Sequence, residues 1–310
     1  MVTTAQERLD MTIRKVGFIG IGNMGAPMAS HLVRAGFDLT VYDVRPEAVS
    51  IFVERHGGKG AESLAQLARE AEAVITMLPN DKVVWQAVLG EDGVAKTLKS
   101  GSIVIDMGTS DPIATRSLAK ELQPRGIAVV DAPVMGGVVF AEDASLDIMV
   151  GGDADQVARC RPLLQAMGQG VMECGGVGNG HALKALANYV NASALITSLE
   201  ALTIGKRFGL DARFMAEALV PLCATRNHPI PKKILPHVFT RKYGTGMALG
   251  FIAKDVKIAR DTAKAVEAFA PLAEKVAELW ADASRKIGAG VDQTEIVRYW
   301  EEATGVSLTK

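Results

Sequence analysis

This sequence predicts an α/β half followed by an all-α half. Three observations carry that expectation: short apolar runs alternate with helical stretches from Ile13 to about Gly152, a glycine-rich turn follows the first run, and beyond Gly176 the pattern changes to helix alone. Strands separated by helices call for a parallel sheet with helices on both faces, the doubly wound design. The 310 residues are 48% apolar and 22% charged, with net charge −1, so two domains with sizeable cores are expected and disorder is excluded. A charge this close to zero gives no electrostatic reason to expect nucleic acid or an anionic membrane surface.

Taken in order, Lys15–Ile19 is an apolar run that ends in glycine. A helical stretch from Met24 to Ala35 then closes at Gly36, and Asp38–Tyr42 is the next run. Ala73–Met77, Ile103–Met107, Ile127–Val130 and Leu146–Val150 complete the strands, with helix-spaced segments such as Ser63–Ala71 and Thr115–Leu122 between them. From Asn179 to Arg207 there is no proline and one interior glycine, Gly205. A helix there would be roughly 40 Å long, enough to join two domains. Ala212–Leu219, Ala248–Ala268, Pro271–Ile287 and Thr294–Ala303 read as further helices, with Pro221, Pro229, Pro231 and Pro236 breaking the chain between the first two. The expected organisation is a loose tail over 1–12, a dinucleotide-type domain over 13–178, an interdomain helix over 179–207 and an all-α domain over 208–310.

Cys160, Cys174 and Cys223 are far apart and form no C-x-x-C pair, so neither a metal site nor a disulfide framework is expected. Met1 to Asp10 lacks the apolar core of a signal peptide, and no apolar run approaches the ~18–20 residues that span a bilayer. The expected compartment is the cytoplasm.

The turn after the first strand reads Gly20-Ile21-Gly22-Asn23-Met24-Gly25, the G-x-G-x-x-G pattern. Gly20 permits the tight turn, Gly22 lets backbone approach a pyrophosphate, and Gly25 lets helix pack on strand. Amides at the helix start then face the phosphates. Asp43, at the tip of the second strand, can accept hydrogen bonds from both adenosine ribose hydroxyls and repel a 2′-phosphate. This Rossmann-type constellation favours NAD over NADP, although Arg45 is placed where it could accept a 2′-phosphate.

On the long helix, His181, Lys184, Asn188 and Asn191 share one face, beside Leu183, Leu186, Ala187 and Val190. A polar stripe of this kind faces solvent, bonds to the first domain, or holds a ligand. The glycine-rich approach Gly175-Gly176-Val177-Gly178-Asn179-Gly180 favours close approach to something at the helix start. His181 alone reads as a satisfied core histidine.

From about Arg14 to Gly288 the chain resembles the β-hydroxyacid dehydrogenase family, of the 3-hydroxyisobutyrate dehydrogenase-like kind. Four motifs in order carry the resemblance: the glycine loop continuing to Leu32; Met77-Leu78-Pro79 with Asp106-Met107-Gly108-Thr109; Asp131-Ala132-Pro133-Val134-Met135-Gly136-Gly137; and Gly180 with Lys184-Ala185-Leu186-Ala187-Asn188, followed by Phe251-Ile252-Ala253-Lys254-Asp255. The resemblance implies an NAD(P)-dependent enzyme moving a hydride between nicotinamide and a β-hydroxy acid or its semialdehyde. It implies that Lys184 is the general acid/base, that Met135, Gly136, Gly137 and Asn188 bind substrate, and that Leu78, Pro79, Thr109 and Lys254 contact the cofactor. A lysine serves as base when desolvation and nearby cations lower its pKa toward neutrality.

The sequence departs from the family in carrying Met135 where serine is usual, Phe140 and Ala144 where glycine is favoured, Ser145 for threonine, and Ala187 for the first catalytic asparagine. These changes make the substrate side more apolar and hint at a larger or less hydroxylated acid. Arg226, Asn227 and His228, with Lys232 or Arg241, are expected to supply further substrate contacts. The implied assembly is a homodimer or homotetramer through the C-terminal helices. Competing readings are an imine reductase, which usually lacks a lysine at the position of Lys184, a decarboxylating sugar-acid enzyme, and a silent NAD-binding sensor.

Overall fold

The computed structural model describes residues 13–223, 228–265 and 271–309. The expected tail over 1–12 and the loop residues Arg226 and Asn227 lie outside the described residues. The chain divides into two compact units within its longest helix, one ending at Lys184 and the other starting at Ala185.

The first unit is built on six parallel strands: β1 (Lys15–Ile19), β2 (Asp38–Tyr42), β3 (Lys59–Gly60), β4 (Ala73–Thr76), β5 (Ile103–Asp106) and β6 (Ala128–Asp131). Their order, β3-β2-β1-β4-β5-β6, reverses beside β1, which is where the glycine turn emerges. Successive strand residues point to opposite faces, and both faces are covered. Phe18, Ile75, Ile105 and Val130 pack into one core with Met28 and Leu32. Ile19, Val74, Val104 and Val129 pack into another with Leu67, Val84 and Leu118. Near-continuous apolar strands are what two covered faces require.

The helices are α1 (Gly25–Arg34), α2 (Pro46–His56), α3 (Leu64–Ala68), α4 (Asp81–Leu89) and α5 (Pro112–Leu122). Three of them start on side-chain caps: Ser63 accepts from the Gln66 amide, Asn80 from Val83, and Asp111 from Ile113 and Ala114. At the start of α1 no side chain caps the amides; the Ala26 N–H donates to the Gly22 carbonyl at 3.0 Å, and Pro27 carries none.

Beyond β6 the alternation stops being parallel. β7 (Val134–Met135) runs antiparallel to β8 (Leu146–Val150), with α6 (Val138–Glu142) between them, and β9 (Gly168–Glu173) joins β8 after α7 (Ala154–Met167). This three-stranded sheet is separate from the first, and an antiparallel bridge from Asp131 to Gly151 connects them. Leu146–Val150 was expected to continue the doubly wound pattern. It belongs instead to this second sheet, because a connection as short as that following β7 suits an antiparallel partner.

The second unit is helical: most of α8 (Asn179–Phe208), then α9 (Ala212–Cys223), a π-helix over Ile230–Val238, α10 (Leu249–Ala265), α11 (Pro271–Ile287) and α12 (Ile296–Thr304). Trp280, Leu195, Leu199, Ile234, Val256 and Ile296 are among its buried core. Pro221 lies inside α9 and Pro236 inside the π-helix, so neither breaks the chain as the sequence led us to expect. Among the described residues no helix is long and apolar enough to cross a membrane.

Candidate active site

The turn between β1 and α1 is held by its glycines in two different ways. A side chain on Gly20 (φ +94°) would strike the Met77 carbonyl, and one on Gly25 would strike the Gly20 carbonyl. Above Gly22 the nearest atom would be Arg45 Nη2 at 3.9 Å. Gly20 and Gly25 therefore serve packing, and Gly22 is the position open to a ligand. Asn23 is exposed, and Met24 and Ile21 flank the turn on its protein side, half-buried and buried. Asp43 locks it from β2: Oδ2 accepts the Ile21 amide at 3.1 Å, while Oδ1 accepts the Arg45 backbone N–H at 3.0 Å and Nε at 3.1 Å.

The neighbouring loop ends lie against one another. Leu78 Cδ2 would be 3.0 Å from a side chain on Gly20, and the Leu78 carbonyl 2.7 Å from one on Gly108. Pro79 is exposed and Thr109 half-buried. Three adjacent strands thus end on a common edge. This surface fits a dinucleotide: an uncapped helix start, a glycine with only the Arg45 guanidinium near it, and a carboxylate at the second strand tip.

Beneath this edge runs a buried polar network that sequence reasoning did not place in the site. Asp106 accepts the Thr76 hydroxyl (3.0 Å), the Gly108 amide (3.0 Å) and the Ser110 hydroxyl (2.6 Å). Asp131, fully buried, accepts the amides of Gly178 (2.6 Å) and His181 (2.8 Å) at the start of α8. Burial pushes the Asp131 carboxyl above the ordinary carboxylate range, against the opposing pull of His181 and of those amides. His181 is fully buried, with Nδ1 2.8 Å from Thr115 Oγ1 and Nε2 3.7 Å from Asp106 Oδ2. The core reading of His181 thus agrees with its burial, but among the described residues Nε2 has no hydrogen-bond partner. Aspartates at the ends of two consecutive strands, Asp106 and Asp131, were the available signal.

Lys184 follows His181 by three residues on α8. It is 6% exposed, and its Nζ donates to the Met135 sulfur at 3.4 Å. Met135 leads into Gly136 (φ +132°) and Gly137 (φ +85°), backbone shapes that favour glycine. A side chain on Gly136 would lie 2.6 Å from Phe140 Cβ. Val139 and Phe140 are exposed on α6, and His31 Nε2, 3.0 Å from both the Ala141 and Glu142 carbonyls, ties the end of α6 to α1.

In the second unit, Asn188 is buried and donates through Nδ2 to Asp255 Oδ2 at 2.6 Å, while Lys254 Nζ lies 3.2 Å from Asp255 Oδ1. Apart from the resemblance, Lys254 and Asp255 read as a solvated helix face. Asp255 is in fact 3% exposed and accepts the Asn188 amide N–H. The polar stripe of α8 is not turned to solvent either: His181, Lys184 and Asn188 are buried, while Leu183, Leu186 and Val190 are exposed. Arg241, expected near substrate, is held by Glu301, Tyr243 and Thr309. Lys232 is exposed, and His228 Nδ1 accepts the Ile230 amide.

Fold and site together define an NAD(P)-dependent oxidoreductase, and the comparisons with known proteins agree. A sequence profile described as the NAD binding domain of 6-phosphogluconate dehydrogenase matches residues 15–176. A second, described as the NAD-binding region of NADP-dependent 3-hydroxyisobutyrate dehydrogenase, matches residues 178–300. Mitochondrial 3-hydroxyisobutyrate dehydrogenase of Mus musculus is 38% identical over 253 residues, covering 80% of this chain and 75% of the relative. The 3-hydroxyisobutyrate dehydrogenase of Pseudomonas aeruginosa is 34% identical over 262 residues, 83% of this chain and 88% of the relative. Among solved structures, 3-hydroxyisobutyrate dehydrogenase of Mycobacterium tuberculosis with L-serine superposes with a TM-score of 0.82 at 28% identity, covering 93% of this chain and 99% of that one.

The chain belongs to the β-hydroxyacid dehydrogenase family. It is an NAD(P)-dependent oxidoreductase of small hydroxy acids, and neither the imine reductase nor the sensor reading is favoured.

Proposed function

We propose that this enzyme interconverts a β-hydroxy acid and its semialdehyde, with Lys184 as general acid/base. The observation that carries the reading is the buried Lys184 amine set against the Met135 thioether. Sulfur is a weak acceptor, so an alcohol or carbonyl oxygen readily competes with it for the amine. In the oxidative direction the substrate hydroxyl gives its proton to the neutral amine, and in reduction the ammonium returns it to the carbonyl oxygen. Bound NAD(P) supplies the hydride acceptor or donor.

Gly20, Ile21, Gly22, Asn23, Met24 and Gly25 hold the pyrophosphate, Asp43 the ribose, and Leu78, Pro79 and Thr109 the face of the dinucleotide; Lys254 is assigned to the cofactor by the resemblance. The Asp43 carboxylate favours NAD, with Arg45 the residue that would meet a 2′-phosphate. Gly136 and Gly137 present backbone to the substrate carboxylate. Met135, Val139 and Phe140 give the substrate side an apolar wall, which favours an alkyl-bearing acid over a polyhydroxylated one. Asn188, with one amide N–H held by Asp255, offers its second N–H to the substrate oxygen.

Lys184→Ala is expected to bind NADH normally and to lose turnover by at least ~10² on a panel of semialdehydes and hydroxy acids. Near-normal turnover in that variant overturns the assignment.

The assembly we propose is a homodimer or homotetramer through the C-terminal helices. The exposed apolar residues Leu186 and Val190 of α8 and Phe214 and Leu222 of α9 support it. Sedimentation of the purified chain at micromolar concentration tests it, and a monomer there counts against it.

A further inference from the structure

We propose that Asp131 is a positioning residue for Lys184, acting through the first turn of α8. This rests on the reading of Lys184 as general acid/base. A lysine that must meet a substrate oxygen at hydrogen-bond distance tolerates little error, since ~1 Å of misplacement can cost about 10²-fold in rate. The chain leading to it, Gly175 to Gly180, contains four glycines and so has few side chains of its own to set its path.

What sets the path is a carboxylate. Asp131 ends β6, the last strand of the rigid parallel sheet, and each of its oxygens takes one amide of the incoming helix, Gly178 on Oδ1 and His181 on Oδ2. Backbone packs directly on this group. A side chain on Gly151 would come within 2.8 Å of Oδ1, and one on Gly180 within 2.9 Å of Oδ2. Asp131 and Gly151 also exchange both backbone hydrogen bonds, at 2.9 and 2.8 Å. Two sheets and the helix start therefore meet on one side chain.

His181 extends the arrangement. Its amide is held by Asp131, and its ring is wedged against Thr115 of α5 and beside Asp106, which also holds the Gly108 amide and Ser110 hydroxyl around Thr109. Lys184 stands three residues on, about 4.5 Å along the helix axis. A carboxylate with no solvent exposure is costly to bury and is retained here with two amide donors on it. The group acts by fixing where the helix begins.

The test is a double-mutant cycle on the full chain. Asp131→Asn keeps the shape and replaces one acceptor oxygen with an NH2 that opposes an amide N–H. It is expected to lower kcat about 20-fold or more with KM changed far less and NADH affinity within about twofold. In a Lys184→Ala background the same substitution is expected to change the residual rate by less than about twofold, because the group it positions is gone. An equal fall in both backgrounds overturns the positioning role, as does an unchanged kcat in the single variant. Should Asp131→Asn fail to fold, Thr115→Val, which removes the hydroxyl at His181 Nδ1, takes its place with a smaller fall of about 3- to 10-fold under the same criteria. If Lys184→Ala alone keeps wild-type turnover, the acid/base assignment fails, an outcome distinct from the failure of the cycle.

Discussion

The Lys184 amine donates to the sulfur of Met135, 3.4 Å away, across the gap between the start of α8 and the end of β7. If Lys184 is the general acid/base, Met135 is the side chain set beside the reacting oxygen. Met135→Ser exchanges a bulky soft group for a hydroxyl that donates and accepts. The expected outcome is a rise of about 10-fold in the kcat/KM of hydroxyl-rich acids such as glycerate relative to alkyl acids such as 3-hydroxyisobutyrate. Steady-state kinetics on the two substrates read it directly; an unchanged ratio removes Met135 from the substrate wall.

Asp43 divides its oxygens between the Ile21 amide and Arg45. Replacing it with serine removes the charge that repels a 2′-phosphate and releases the Arg45 guanidinium, which is a good partner for that phosphate. The ratio of kcat/KM for NAD+ over NADP+ is expected to fall by about 10²-fold in Asp43→Ser, and to recover part of the loss when Arg45 is also changed to alanine.

Ala144 has φ +53°, in the left-handed region where an L side chain is strained. The family favours glycine at this place, and the chain retains alanine at an energetic cost. Ala144→Gly is expected to stabilise the protein by about 0.5 to 1 kcal/mol, seen as a raised denaturation midpoint at constant slope. A lower midpoint would show that the Ala144 methyl contributes more by packing than it costs in strain.

Lys233 donates to Gln293 at 2.7 Å, and Gln293 in turn donates to Thr245, which is bonded to Asp292. Burial lowers the Lys233 pKa from 10.5 to about 8, with Asp292 opposing the shift and Lys232 reinforcing it. Between those values the unfolded chain binds more protons than the folded one, so stability rises with pH from about 8 to 10.5 and the penalty is fully present below 8. Lys233→Met is expected to be more stable than wild type at pH 7 by on the order of 1 to 3 kcal/mol, with the difference closing toward pH 10.5. Urea titrations of both proteins at pH 7, 9 and 10.5 measure it, and a difference independent of pH contradicts it.

The dinucleotide turn was legible because every residue it needs is local: Gly20, Gly22 and Gly25 in one turn, Asp43 one strand later. Resemblance and spacing singled out Lys184 and Asn188, and the structure buries both. The pairs that organise them were not, because Asp131–His181 spans 50 residues and Asn188–Asp255 spans 67. A single strand-end aspartate carries no mark of the helix it will anchor. β9 was missed for a similar reason: Gln169, Gly170 and Glu173 dilute its apolar pattern, and pairing with β8 alone makes it a strand. The burial of the α8 polar stripe reversed the usual rule that polar helix faces meet solvent. Its partners, Thr115 and the Asp131 and Asp255 carboxylates, come from distant elements.

The hairpin of β7 and β8, which carries Met135 and α6, hydrogen-bonds within its own small sheet rather than extending the six-stranded one. In evolutionary terms this separates two inheritances. Substitutions between Val134 and Leu146 can accumulate, and paralogues can diverge in the acids they accept, while the nucleotide half retains its register. Met135, Phe140 and Ala144 all lie on this separate sheet or between its first two strands, where a change of residue leaves the pairing of the six parallel strands unaltered.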